Sequence, residues 1–169
     1  DIRFEGNGYS DEWKVQAKKR GLPILNTTAD ALEVLRDEKA TQFLVDQKVL
    51  SREEIASRYH INVERYVKTL DIEVDTMTEL VNNYVIPAIE KQLSALYQTH
   101  GPINSSSLKK LHLVRIKTLE KVFEDVLSNL DTVHDIVAKM RSKHNETDRM
   151  KSIAMNVQPA VSKLRDAAD

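Results

Sequence analysis

The chain has 169 residues, a formal net charge of -1, 41% hydrophobic residues and 30% charged residues. This apolar content with balanced charge excludes a disordered chain and a chain that is basic throughout, as many nucleic-acid binders are. The absence of cysteine excludes disulfides, cysteine-zinc sites and thiol nucleophiles, and 4 glycines with 4 prolines are too few for the turns of a β-sandwich. Composition therefore predicts a helix-rich, soluble, cytoplasmic domain, and the start at Asp1 is interpreted as the start of a piece of a longer protein.

The first 50 residues are predicted to form an arm and short helices. Ile2 to Phe4 is predicted as a short strand or an extended arm. Gly6-Asn7-Gly8, whose residues tolerate positive φ, is predicted as a tight turn. Basic residues and Gly21 indicate the end of the first helix. Three helices are predicted: from Ser10 or Asp11 to Arg20, one capped by Thr27 or Thr28, and Lys39 to Gln47.

The longest helical pattern begins at a capping box formed by Ser51 and Glu54. Its apolar residues recur at alternating steps of three and four, which predicts one buried face. That stripe comprises Val63, Val67, Leu70, Val74, Met77, Val81, Tyr84 and Ala88. Pro87 is predicted to kink the helix and to free a backbone carbonyl near Asn83. A shifted face then comprises Ile89, Leu93, Leu96 and Tyr97.

Two further stripes predict two more helices. The first comprises Leu108, Leu111, Arg115, Leu119, Val122, Phe123, Val126, Leu130, Val133, Val137 and Met140. The second comprises Met150, Ile153, Val157, Val161 and Leu164, and Pro159 is predicted to kink or shorten its helix. Three amphipathic helices with short loops favour an all-α, antiparallel up-down bundle. The predicted domains are residues 1–50, which pack on the bundle or on an upstream domain, and the bundle itself, residues 51–169.

Charge is uneven along these helices. The segment from Ile61 to His100 carries an acidic excess. The next helix begins with a basic stretch of Lys109, Lys110, Arg115, Lys117 and Lys121. We interpret the two as complementary surfaces within the bundle, and a polyanion site is the alternative, disfavoured because no aromatic residues alternate with the cations.

No self-sufficient active site emerges from the residue pattern. Ser105 to Ser107 stands at a helix start, where capping explains it. Asp131 and His134, with Glu120 and Glu124, form the one hypothesis for a metal-dependent enzyme, but a di-iron bundle needs the Glu-x-x-His type of motif twice. We therefore predict no catalytic, cofactor-binding or metal-binding residue in this chain.

A set of strings in the first 95 residues or so is more specific. The strings are Phe4 to Trp13 (FEGNGYSDEW), Ala17 to Pro23 (AKKRGLP), Lys48 to Ser51, Glu54, Ser57 to Tyr59, Ile72-Glu73, Thr76-Met77 and Ile86 to Ala88. In this order they resemble the segment that follows the catalytic core in type III glutamine synthetases. The resemblance is thinner from Gly101 onward.

The resemblance implies an ATP-dependent ligase, in which glutamate is phosphorylated on its side chain and ammonia displaces the phosphate. It implies magnesium or manganese ions and a ring-shaped homo-oligomer with active sites between subunits. The family's catalytic strings, such as the Asn-Arg-Ser/Thr nucleotide motif, are absent from this chain. The chain is thus expected to be a non-catalytic C-terminal helical part, inactive alone, that contacts the catalytic domain and neighbouring subunits, with no nucleic-acid or membrane partner. An independent helical protein–protein interaction module is the alternative.

Overall fold

The computed structural model describes residues 4–168, whose regular secondary structure is helical, with no strand among them. The prediction of an all-α fold is therefore confirmed. The strand or arm predicted for Ile2 to Phe4 falls mostly on residues that lie outside the described ones. The chain divides into two compact units between Tyr59 and His60.

The helices are contiguous or joined by short connections. In chain order they are α1 (Asp11–Lys19), α2 (Thr28–Glu33), α3 (Glu38–Asp46), α4 (Arg52–Leu80), α5 (Ile86–His100), α6 (Ser106–Arg141), α7 (Glu146–Ser152) and α8 (Gln158–Ala168). A 3-10 turn, Val34–Arg36, follows α2, while π-helical turns at Val81–Val85 and Ile153–Val157 connect α4 to α5 and α7 to α8.

Side-chain caps fix the helix starts where the sequence predicted them. The Ser10 hydroxyl accepts a hydrogen bond from the backbone N–H of Trp13 at 3.2 Å. Ser51 and Glu54 form the reciprocal capping box, in which the Ser51 N–H donates to the Glu54 carboxylate at 2.7 Å and the Glu54 N–H donates to the Ser51 hydroxyl at 3.2 Å. Each bond pairs an N–H that the first helical turn leaves without an intrahelical partner.

Glycine serves two different purposes in the first unit. Gly21 has a φ of 70° and ends α1, where the N–H of Leu22 donates to the carbonyl of Ala17 at 3.0 Å. The tight turn predicted at Gly6-Asn7-Gly8 is present: the N–H of Ser10 donates to the carbonyl of Asn7 at 3.0 Å, and neither glycine there has a positive φ. Gly6 lies against the Phe4 ring, where a Cβ atom would stand 2.5 Å from the ring. A larger residue at this position would have to displace that ring.

A buried tyrosine ties the start of α4 to the α2 region within the first unit. The Tyr59 hydroxyl donates to the Glu33 carboxylate at 3.1 Å. Arg36 pairs with Glu33 at 3.2 Å and lies 5.6 Å from the centroid of the Tyr59 ring. The ring thus joins a hydrogen bond and a cation–π contact in one cluster.

The core of the second unit lies where α6 packs against α5 and α8. Its buried side chains are Val63, Tyr66, Val67, Val74, Val81, Ile89, Leu93, Leu96, Ile116, Val126, Leu130, Val133, Val137, Met140, Met150, Ile153, Val157, Ala160 and Leu164. These include most of the predicted stripe from Met150 to Leu164 and the C-terminal half of the stripe on α6. The predicted stripe that begins at Val63 is buried or half-buried as far as Val81.

The prolines at positions 87 and 159 lie within continuous helix, and each follows a π-helical turn by two residues. The N–H of Ile86 donates to the carbonyl of Val81, and the N–H of Gln158 donates to that of Ile153, both five residues back. In a regular α-helix a proline ring meets the carbonyl four residues earlier. The wider turn adds one residue just where that clash would arise.

The π-helical turn before Pro87 shifts the buried face by one residue. Tyr84 and Ala88 are predicted on the first stripe, but both are exposed, Tyr84 to 69%. Val85 is half-buried and Ile89 is buried in their place. The prediction is wrong here because it assumes a regular 3.6-residue period through the turn. Tyr97, on the shifted face, is exposed too.

Arg141 joins the C-terminal end of α6 to the middle of α4. Its guanidinium donates to the carboxylates of Asp71 at 2.8 Å and Asp75 at 2.7 Å. The hydrogen bond to Asp75 and then that to Asp71 raise the pKa of Arg141. Both pairs are partly exposed, so water weakens them.

Replacing Arg141 with methionine, which keeps an unbranched apolar stem, is expected to lower the free energy of unfolding by about 1 kcal/mol, since two charge-assisted bonds are lost. Urea denaturation followed by circular dichroism measures this change. Lys121→Met is the control, because Lys121 pairs with Asp125 on its own helix at 3.4 Å, a pair expected to contribute about 0.3 kcal/mol. Equal losses in the two variants would contradict the role given to Arg141.

Candidate functional site

The four residues of the metal hypothesis lie along α6 and do not form a metal-binding cluster. Asp131, His134 and Glu124 are exposed on α6. Glu120 accepts a hydrogen bond from the hydroxyl of Tyr97 instead. Within residues 4–168, no group of three or more His, Asp or Glu side chains is arranged to hold a metal ion.

Ser105, the first residue of the serine run, acts as a cap. Its hydroxyl accepts a hydrogen bond from the backbone N–H of Leu108 at 3.4 Å, at the start of α6. This agrees with the capping interpretation of the run. Among the helices of the described part, none is long and apolar enough to cross a membrane.

The strongest candidate for a functional surface is a groove between α5 and α6, which we call the α5–α6 groove. It has a volume of about 490 Å³. Its lining residues are Gln92 and Leu96 from α5, with Val114, Arg115, Thr118, Leu119 and Val122 from α6. Because most of these contacts are apolar, the groove suits the side chains of a protein partner better than a charged metabolite.

The groove arises because α8 covers only the C-terminal half of the α6 stripe. In that half, the stripe residues from Val126 to Met140 are all buried. The C-terminal end of α8, residues 166–168, lines a second pocket together with Leu119 and Val122, so α8 and α6 leave a gap at this level. Nearer the start of α6, Leu108 is 53% and Leu111 is 64% exposed.

The burial predicted for Leu108, Leu111, Arg115 and Val122 is therefore wrong. These residues do continue the stripe at the correct helical spacing. Spacing alone cannot say whether a neighbouring helix is long enough to cover it. A continuous apolar stripe with an uncovered half is the pattern expected of a binding surface.

Polar and aromatic contacts hold α5 against this part of α6. The Tyr97 hydroxyl donates to the Glu120 carboxylate, and this bond raises the pKa of Tyr97 because it favours the protonated phenol. The rings of His100 and His112 lie nearly parallel, with centroids 5.6 Å apart. The Nδ1 atoms of both histidines are buried and have no hydrogen-bond partner.

Ile116, which is 2% exposed, is a core residue that the apolar spacing of the sequence did not indicate. Ile116 lies one turn beyond His112 and one turn before Glu120, both of which contact α5. The face of α6 toward α5 is therefore a second stripe in which polar and apolar residues alternate. A signal based on apolar spacing cannot find such a face.

One member of the basic stretch, Arg115, lines the groove, and no ion pair among the described residues joins the stretch to the acidic segment. All five of its cations are exposed: Lys109, Lys110, Arg115, Lys117 and Lys121. Within the described residues the one ion pair that any of them forms joins Lys121 to Asp125 of the same helix. The acidic segment between Ile61 and His100 instead receives Arg141. The predicted complementarity between the two stretches is not found.

Comparison with known proteins identifies relatives along the whole chain. A family model described as the glutamine synthetase C-terminal domain matches residues 1–103. Glutamine synthetases from Bacteroides fragilis and Butyrivibrio fibrisolvens are 24% and 28% identical over 99% of the chain, which spans 24% of each relative. A type-3 glutamine synthetase from Dictyostelium discoideum is 40% identical over 52% of the chain, a stretch that covers 12% of that relative.

Proposed function

Because the chain belongs to the glutamine synthetase C-terminal domain family, we propose that it is the non-catalytic C-terminal helical part of an enzyme that joins ammonia to glutamate at the expense of ATP. Its share of the relatives, 24% of their length, supports a part rather than a whole enzyme. ATP and a magnesium or manganese ion then belong to the catalytic part of the parent protein. A cytoplasmic location follows, since ATP is available there.

We infer that the second unit is an antiparallel up-down bundle of α4–α5, α6 and α7–α8. Asp71 and Asp75 meet Arg141, whereas Tyr97 meets Glu120. Residue numbers thus rise along one helix as they fall along its neighbour, which supports antiparallel packing. In the proposed organisation residues 1–50 pack on this bundle or on the upstream catalytic domain, and residues 51–169 form the bundle.

The proposed role is architectural: the helices extend the subunit and contact the catalytic domain and neighbouring subunits of a homo-oligomer. The observation that carries this proposal is the uncovered apolar half of the α6 stripe, with Leu108 53% and Leu111 64% exposed. A stripe of this kind is costly to leave in water and is typical of surfaces buried by assembly.

The proposal is tested on the parent protein with and without this region. Removal of the region is expected to reduce the number of subunits in the assembly, measured by light scattering. The isolated chain is expected to bind neither ATP nor glutamate in calorimetry with magnesium. An immunoblot of source cells should show a band several times heavier than 19.3 kDa. Nucleotide binding by the isolated chain, or an unchanged assembly, would overturn the proposal. A native band near 19.3 kDa would favour the independent interaction module.

A further inference from the structure

We propose that the α5–α6 groove binds an amphipathic α-helix with acidic flanks, which lies along α6 in the position that α8 occupies further along the same helix. This inference rests on the proposed architectural role and states the chemistry of the partner. It concerns residues of the second unit alone.

The shape of the groove favours a helix. The exposed residues Leu108, Leu111 and Val122 stand at the same helical positions as the buried residues that α8 covers. A surface that accepts one helix along its C-terminal half presents the same ridges and grooves along its N-terminal half. The uncovered part, from Ser106 to Val122, is about 25 Å long at 1.5 Å per residue, enough for four to five turns of a partner helix.

The floor of the groove is suited to alternating apolar anchors. Leu96 on one side and Leu119 with Val122 on the other leave apolar contact area open between α5 and α6. A partner helix that places leucine-like side chains at i, i+3, i+4 and i+7 would set one row of side chains into this space. The apolar area thereby removed from water would provide most of the binding free energy.

The charge in the groove selects the partner. Arg115 lines the groove, is exposed and has no ion pair among the described residues. A helix with glutamate or aspartate beside its apolar row would pair with Arg115, and a lysine or arginine at that place would be repelled.

The same charge disfavours a second copy of this surface as the occupant. Two α6 helices packed antiparallel about the middle of the uncovered stripe would bring Arg115 of one copy against Arg115 of the other. Pairing identical cations in an apolar groove costs free energy rather than contributing it. An acidic helix avoids that cost.

The test uses the isolated chain and two synthetic 18-residue helical peptides. Both peptides carry leucines at i, i+3, i+4 and i+7, and one has glutamates where the other has lysines beside the leucine row. Fluorescence anisotropy is expected to show at least about tenfold tighter binding of the glutamate peptide, with the difference reduced in 0.5 M salt. Arg115→Glu is expected to reverse the preference.

Matched variants separate the groove from the rest of the surface. Leu111→Asp and Val114→Asp are each expected to weaken binding of the glutamate peptide at least about tenfold, because a carboxylate would have to enter the apolar contact. Met155→Asp is the control, since Met155 is 71% exposed and does not line the groove. Circular dichroism checks that each variant is folded.

Three results would overturn the inference: no peptide binding, equal binding of both peptides, or a dimer of the chain that Leu111→Asp dissolves. The last result would identify a second copy as the occupant. Any of these would leave the proposed function standing if removal of the whole region still reduced the assembly of the parent. Conversely, the glutamate peptide could bind while removal of the region leaves the assembly of the parent unchanged. That result would contradict the architectural role and leave the inference about the groove standing.

Discussion

Replacing Leu164 with alanine is expected to lower the free energy of unfolding by about 3 kcal/mol, one of the largest effects of any single substitution in the second unit. Leu164 is fully buried, at 0% exposure, in the layer that α8 adds to α6. Truncation removes apolar contacts and leaves a cavity that a helix interface closes only in part. Urea denaturation monitored at 222 nm measures the loss.

Leu111→Ala is the matched control for this substitution. It makes the same chemical change in a helix, but Leu111 is 64% exposed, so the expected change is within about 0.5 kcal/mol. A loss at Leu111 as large as that at Leu164 would mean that the stripe on α6 is covered along its whole length. The α5–α6 groove would then not exist in solution.

Inserting one alanine between Asn82 and Asn83 is expected to detach α5 from α6. The π-helical turn already contains the extra residue that keeps the buried faces of α4 and α5 in register. A further residue rotates everything beyond it by about 100°. Ile89, Leu93 and Leu96 would then leave the core, at a cost of about 4 kcal/mol or more for three large side chains.

Deletion of Tyr84 is the informative comparison for the insertion. Tyr84 is exposed, and its removal would turn the five-residue π-helical turn into regular helix with Ile89 still on the buried face. Hydrogen exchange of the α5 amides is expected to rise strongly in the insertion variant and much less in the deletion variant. Equal exchange in both would contradict the register explanation of the exposed Tyr84 and Ala88.

Features that depend on neighbours in the chain were predictable from the sequence. Ser51 and Glu54 are three residues apart, so their reciprocal hydrogen bonds need only one turn of helix. Gly21 ends α1 for the same local reason. The apolar period likewise predicted the buried face of α4 as far as Val81, because the helix is regular up to that residue.

The prediction of the face failed where the backbone departs from the α-helical period. Pro87 indicated a disturbance near Asn83, but a kink and a π-helical turn both follow from the same proline. They differ in the register of every later residue. That is why Tyr84 and Ala88 were assigned to the wrong face, while Ile89, Leu93 and Leu96 were assigned correctly.

The candidate site could not be found from spacing. The α6 stripe reads as one uniform pattern from Leu108 to Met140, and its two halves are chemically alike. They differ in the presence of a covering helix, since α8 reaches only the level of Leu119 and Val122. Among the described residues none packs over the exposed half, and no local pattern records such a difference.

Helical class, helix ends and the resemblance to glutamine synthetases can all be read from the order of residues, because capping, periodicity and specific strings are local properties. Packing between residues about 40 to 70 positions apart decides two other features. It decides which half of the α6 stripe is buried, and it pairs the acidic segment with Arg141. Such contacts are set by the relative lengths and registers of whole helices. They emerge only once the helices are packed together.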